Sequence, residues 1–224
     1  TNLDPYSIKK GFFHAHIGWM LEKTSSEISG VSDLKRKPAV IFQYKYYWII
    51  SLSLAFLLPT LIGYYFGRPL GGLLWGGVLK TTLVHHFTFF INSLCHYVGN
   101  QSYDAKTSAK DSWIMAFLTF GEGYHNYHHK FEWDYRNGIK WYNFDPSKWI
   151  IKLLSYFKLT FNLRKASESR IVQAKITTII DKIELLSENV KQYNDQKIKK
   201  IKKQAFQVLN NWRQLELDFE GRMW

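Results

Sequence analysis

Three histidines fall within five residues in the segment Gly121-Glu122-Gly123-Tyr124-His125-Asn126-Tyr127-His128-His129. On a helix, positions i, i+3 and i+4 share a face, so His125, His128 and His129 can converge on one locus. Adjacent residues diverge by about 100° around a turn, so His128 and His129 suit two neighbouring metals better than one. A second cluster, Asn92-Ser93-Leu94-Cys95-His96, puts Asn92 and His96 one helical turn apart on one face. Imidazole suits iron, copper, nickel and zinc alike. A metal-bound histidine donates its other ring N–H to a neighbour. Glu122 and Asn126 are placed to accept or orient such bonds, and a plain helix-surface role is equally open to them.

Other chemistries lack their residues. A single cysteine, Cys95, excludes an internal disulfide framework and an all-protein CxxC zinc site. Glu122-Gly-Tyr-His125 fits the Glu-x-x-His of soluble carboxylate-bridged di-iron bundles. That site needs a second copy and two further inward glutamates, and the chain has no second copy. His-Glu-x-x-His, a phosphate-binding glycine loop and a dinucleotide fingerprint are absent.

The elements that must carry these residues read as all-α, with integral membrane helices. Residues 46–67 are 22 residues without a charge. A helix of that length rises about 33 Å, enough to cross a hydrocarbon core. Tyr46, Tyr47 and Trp48 stand at one end and Tyr64 and Tyr65 at the other, as an aromatic belt would. Lys35, Arg36, Lys37 and Lys45 put its N-terminal side in the cytoplasm. A turn at Arg68-Pro69 leads into a second span, residues 70–92, which returns to the cytoplasmic face and carries Lys80, His85 and His86. Lys80 reads as snorkelling near the outer interface, and His85 and His86 as polar packing between helices. Asp4-Pro5 and Asp145-Pro146 read as helix starts. Residues 113–120 form a helix too short to span, and residues 24–38 a polar loop. The helix after Pro146 is amphipathic and suited to the interface.

Residues 164–224 form a charged helical tail separate from the domain of residues 1–163. Ile176, Ile179, Ile183, Leu186 and Val190, then Ile198, Ile201, Ala205, Val208, Trp212 and Leu215, repeat in a heptad-like way. A hairpin packing on itself or on the domain is the favoured reading, with membrane-surface or partner binding beside it. The net charge of +12 leaves nucleic acid, anionic lipid and acidic partners open. In residues 1–163 it suits cytoplasmic loops of a membrane protein rather than nucleic-acid binding.

With the two clusters in view, the chain resembles the membrane-bound fatty acyl-CoA Δ9 desaturases, the stearoyl-CoA desaturase family. Asn92-Ser-Leu-Cys-His96 and Gly121-Glu-Gly-Tyr-His125-Asn-Tyr-His128-His129 look like that family's last two metal-binding motifs. Asp4-Pro5-Tyr6-Ser7, Gly11-Phe12-Phe13 and His16-Ile17-Gly18-Trp19 resemble the stretch after its second histidine box. Asp134-Tyr135-Arg136-Asn137-Gly138 resembles the segment after its last box.

The resemblance implies four membrane helices and a cytoplasmic domain holding two iron ions. His96, His125, His128 and His129 would bind metal directly, and Asn92 through a water. It implies O2-dependent introduction of a cis double bond, with Δ9 expected, into a saturated acyl-CoA or acyl thioester. A separate electron donor of the cytochrome b5 or ferredoxin type is implied, as is the lipid bilayer. Lys23 falls near a position that contacts the CoA phosphates, and Thr88 near a contact to the thioester. Phe89 stands where the family has Trp. The first two histidine boxes are not in this sequence, so the chain is expected to be a C-terminal portion with an incomplete di-iron centre. A related membrane di-iron hydroxylase and a non-catalytic membrane-anchored fragment are the alternatives.

Overall fold

The computed structural model describes residues 5–22, 31–189 and 195–220. Among them there are helices and no strands, only the isolated bridges Asn100–Asp111 and Asp111–Tyr124. The chain divides into two compact units, residues 1–89 and 90–224.

In the first unit, Asp4 lies outside the described residues, and Pro5 sits in a turn rather than starting a helix. The first α-helix, α1 (Phe12–His16), follows Gly11, whose φ of 103° stops the preceding single turn from continuing into it. Within the expected polar loop, Leu34–Arg36 forms a single turn, and α2 (Pro38–Lys45) follows with proline at its first turn.

α3 (Tyr47–Tyr65) is, among the described residues, the one helix long and apolar enough to cross a membrane. It stops two residues short of the expected end for a definable reason. Gly67 takes φ +70°, its N–H donates to Tyr64, and the N–H of Arg68 donates to the carbonyl of Gly63. This paired closure satisfies carbonyls that the last turn would leave bare. Pro69 then opens α4 (residues 69–92), built without a break from Pro69–Gly71, Gly72–Leu79 and Lys80–Asn92. The expected second span is therefore a continuous helix, but Lys80 and its neighbouring polar residues keep it below the apolarity of a membrane-crossing segment.

α3 and α4 pack through glycine. A methyl group on Gly63 would sit 2.8 Å from Cα of Gly72, and one on Gly76 would sit 2.8 Å from Cβ of Pro59. Gly72 and Gly76 are four apart, so they form one small stripe that lets two backbones approach. Lys80 donates to the carbonyl of Ala55 at 3.4 Å. Ala55 lies within Ser53–Leu57, a stretch of widened, π-type turn at the middle of α3. Lys80 thus reaches the mid-depth of the helix, not the outer end where its sequence position suggested. Nδ1 of His86 and Nε2 of His16 are 3.0 Å apart, and His85 stacks on Phe89.

In the second unit, α5 (Leu94–Tyr97), α6 (Trp113–Leu118), α7 (His125–Lys130) and α8 (Pro146–Tyr156) are short. The Asp145-Pro146 start is as expected: Oδ1 of Asp145 accepts from the N–H of Lys148 at 3.0 Å. Its Oδ2 takes the N–H groups of Asn137 and Gly138, so the fully buried carboxylate also closes that loop. α9 (Glu168–Asn189) and α10 (Asp195–Glu220) make up the tail. Ile171 and Ala174 of α9 join Tyr127, Phe131 and Ala166 in the core. The docking face of α9 is offset from the expected stripe, since Ile179 and Leu186 are exposed. Val190 lies outside the described residues.

Candidate metal centre

α7, which carries the histidines, has six residues and cannot hold itself as an isolated helix. Its surroundings hold it. Oδ1 of Asp111 accepts from the N–H groups of Asn126 at 2.7 Å and Tyr127 at 3.0 Å. Those are donors that a helix start leaves unsatisfied, and a carboxylate there is favoured by the helix dipole. Burial still raises the Asp111 carboxyl to about 6, against the pull of these two bonds.

From beyond the other end of α7, Oδ2 of Asp134 accepts from the hydroxyl of Tyr127 at 2.6 Å. Asp134 also accepts from the Ala166 N–H and from the guanidinium of Arg136. Burial pushes the Asp134 carboxyl up, but these donors outweigh it and leave it below the ordinary range. The glycines before α7 are a packing requirement. Gly121 takes φ +107°, and any side chain on Gly123 would collide with the backbone of Met115 and Ala116 in α6.

His96, His125 and His129 each present a ring nitrogen within 4.8 Å of the other two. Nε2 of His125 and Nε2 of His129 are 3.1 Å apart. Two imidazoles bound to one metal at about 2.1 Å and at right angles place their nitrogens about 3 Å apart, so this pair fits a shared ion. His125 is buried, with its Nδ1 left without a hydrogen-bond partner. Its pKa falls to about 2, first through burial and then through His129, His96 and His128. It is therefore neutral at physiological pH, the form that binds metal. Cys95 is buried beside His96 and burial first, then Glu122 and Asp111, push its thiol up to about 12. The donor set is thus all imidazole, which suits iron among other metals.

Two of the expected ligands, His128 and Asn92, are placed differently from the trio. His128 is not among the three rings whose nitrogens converge, although its centroid lies as near to that of His129, at 6.1 Å, as the centroid of His96 does. Asn92 ends α4, and the helix breaks at Ser93 (φ −109°, ψ −77°) before His96. The N–H of His96 returns to the carbonyl of Ser93, so Asn92 and His96 do not share one unbroken helix face.

Asn126 does not orient an imidazole. It is fully buried, and its side chain is saturated by loop backbone. Oδ1 accepts from the N–H groups of Tyr103 and Asp104, and Nδ2 donates to the carbonyls of Asp104 and Ala109. Glu122 accepts from Nδ2 of Asn137 at 2.8 Å. The residue that does touch a ring is Ser108, whose Oγ lies 2.9 Å from Nδ1 of His96. Ser108 sits in the loop that Asn126 pins. No spacing rule points to it from sequence.

Of the expected substrate contacts, Thr88 donates to its own helix at Val84. Phe89 packs edge-on against His16 and Trp19. Lys23 lies outside the described residues.

Among the described residues the chain is helical, with one helix long and apolar enough to cross a membrane and an imidazole trio that could hold a metal ion. Residues 1–162 match the model of the fatty acid desaturase family. The chain is 43% identical over 180 residues to acyl-CoA desaturase 1 of Saccharomyces cerevisiae, which covers 79% of this chain and 35% of that protein. It is 43% identical over 175 residues to a probable acyl-CoA desaturase of Schizosaccharomyces pombe, covering 76% and 36%. It is 32% identical over 189 residues to stearoyl-CoA desaturase 5 of Homo sapiens, covering 80% and 56%. The chain belongs to the fatty acid desaturase family, and it spans about a third of the two yeast relatives and just over half of the human one.

Proposed function

We propose that the intact protein is an O2-dependent fatty acyl desaturase that places a cis double bond, at Δ9, in a saturated acyl-CoA or acyl thioester. The observation that carries this reading is the His96–His125–His129 trio, lying within the residues that match the family. An unactivated methylene offers no handle to an acid or a base, and iron supplies the oxidising chemistry when bound.

The residues of this chain then have the following tasks. His96, His125 and His129 would hold one iron, and His125 is already in the neutral form that a metal ion needs. Ser108 fixes the ring of His96 through Nδ1. His128 would serve a second iron, together with the histidine boxes this sequence lacks, and Asn92 would contribute through a water. Glu122 acts through Asn137. Lys23 contacts the CoA phosphates and Thr88 the acyl thioester, with Phe89 beside Thr88 on the substrate. The protein is integral to the membrane, with α3 and α4 both spanning it and the metal site on the cytoplasmic face, where a separate donor delivers electrons.

The full coding sequence, expressed in a desaturase-deficient host, should restore unsaturated fatty acids measured by gas chromatography, and His129→Ala should remove them at equal protein level. Hydroxylated products, or full activity in His129→Ala, would overturn this reading.

A further inference from the structure

The tail lies beyond the family match, which ends at residue 162, and none of the tasks above uses it. α9 docks on the core through Ile171 and Ala174. α10 contacts α9, and Lys202 pairs with Glu184 across them. Part of the apolar surface along the described side chains of α10 stays exposed. Ile201, Val208 and Trp212 are 43%, 48% and 49% exposed. At about 100° per residue, Ile201, Ala205, Val208 and Trp212 fall within about 60° of arc, so they form one narrow apolar stripe.

Charge is distributed around that stripe with one sign. Between Asp195 and Glu216 there is no acidic residue, while Lys197, Lys199, Lys200, Lys202, Lys203 and Arg213 are basic. By the same helical spacing Lys200 and Lys202 flank the stripe, and Lys199 and Lys203 lie opposite it. An apolar stripe containing tryptophan and flanked by lysines is the pattern of a helix lying in a lipid interface, because lysine stems run along the apolar boundary while their ammonium groups reach headgroup phosphates. A second copy of the helix fits poorly, since stripe-to-stripe pairing would bring two sets of flanking lysines together. Lipid is also the surface at hand, because α3 is apolar and long enough to cross it.

We propose that α10 lies on the anionic lipid surface of the bilayer, with the Ile201–Val208–Trp212 stripe in the headgroup region and the basic side chains that border the stripe on lipid phosphates. This proposal rests on the tail and on the membrane anchoring of the chain, and not on the desaturase reading.

The test uses the full chain in lipid nanodiscs, with a single spin label at Val208→Cys or at Lys203→Cys. Cys95 is fully buried, and the chain without an added cysteine, treated with the same label, sets the background. Collision rates with oxygen and with a water-soluble nickel chelate report depth. In discs containing phosphatidylserine, the label at position 208 should lose chelate collisions several-fold and gain oxygen collisions, while the label at 203 stays in water. Replacing Lys197, Lys200 and Arg213, which border the stripe by the same spacing, with Gln should return position 208 to water. Equal chelate access at both positions in anionic discs would overturn the proposal. So would shielding of position 208 that is the same with phosphatidylcholine alone, which would mean that protein covers the stripe.

Discussion

Oγ of Ser108 lies 2.9 Å from Nδ1 of His96, and this contact joins the loop between Asn100 and Asp111 to the imidazole trio. It leaves Nε2 of His96 as the nitrogen to bind metal. A partner on the remote ring nitrogen sets ring orientation and basicity, and its loss typically lowers metal affinity by about 10–100-fold. In the intact protein Ser108→Ala should therefore lose iron during chelator dialysis at far lower chelator concentration than wild type, while Ser108→Thr should hold it. Metal content by mass spectrometry decides this, and equal retention in Ser108→Ala would remove Ser108 from the site.

Asn126 should matter through the fold rather than through the metal. Its side chain makes four hydrogen bonds to the backbone at Tyr103, Asp104 and Ala109, all it can make. Asn126→Ala strands those groups in a buried place, at about 1–3 kcal/mol for each that water cannot reach. We expect a loss of at least about 3 kcal/mol in denaturant unfolding of the chain in detergent. A loss under about 1 kcal/mol would mean that water enters the loop and replaces the side chain.

These two residues mark what the sequence could and could not convey. The three-and-four spacing of His125, His128 and His129 is a local helical property, so it was legible, as was the Asp145-Pro146 cap. The partnership of His96 with Ser108 depends on a loop folding back across twelve residues, and no local period encodes that. Asn126 was misread because its neighbours on the helix are histidines, whereas its side chain serves a loop more than twenty residues earlier. The break at Ser93 has neither glycine nor proline to announce it. The small stripe of Gly72 and Gly76 was legible in principle, but it reads as plain apolar sequence until the partner helix with Pro59 and Gly63 lies against it.

The trio predicts an uneven response to metal in the isolated chain. Cobalt(II), which reports its ligands by visible absorption, should bind at one position per chain, since His128 stands apart from His96, His125 and His129. His125→Ala should abolish the cobalt spectrum and His128→Ala should leave it. Two equivalent cobalt ions per chain, or equal losses in both variants, would contradict the grouping.

Asp111 gives a pH dependence with a definite sign. Its carboxyl sits at about 6 in the folded chain, above the unfolded value of about 3.9. A folded acid with a raised pKa binds its proton more readily than the unfolded chain does. Its contribution to stability therefore falls as pH rises from about 4 to about 6. Asp111→Asn keeps an oxygen for the N–H groups of Asn126 and Tyr127 and has no proton to exchange. Relative to wild type, the metal-free variant should gain on the order of 3 kcal/mol between pH 4 and pH 7. Thermal unfolding in detergent across that range tests it, and a constant difference would show that the carboxyl titrates normally.

Two adjacent glycines in the helical hairpin should respond in opposite directions. A methyl group on Gly72 would meet the carbonyl of Pro59 and lie 3.0 Å from Cα of Gly63, both fixed backbone. A methyl group on Gly71 would meet only Cβ of Arg68, at 3.6 Å, an ordinary contact. Both positions are helical, so alanine gains up to about 1 kcal/mol of helix propensity at either one. At Gly71 that gain stands alone, and Gly71→Ala should be neutral or stabilising. At Gly72 the two helices must move apart, at a cost of roughly 1–3 kcal/mol that exceeds the gain. Circular dichroism of the full chain during titration of mild-detergent micelles with sodium dodecyl sulfate measures the difference. Gly72→Ala should lose helicity at a lower dodecyl sulfate fraction than wild type, and Gly71→Ala at the same or a higher one. If Gly72→Ala matched Gly71→Ala, the close approach of α3 and α4 at Gly63 and Gly72 would not be what holds the hairpin.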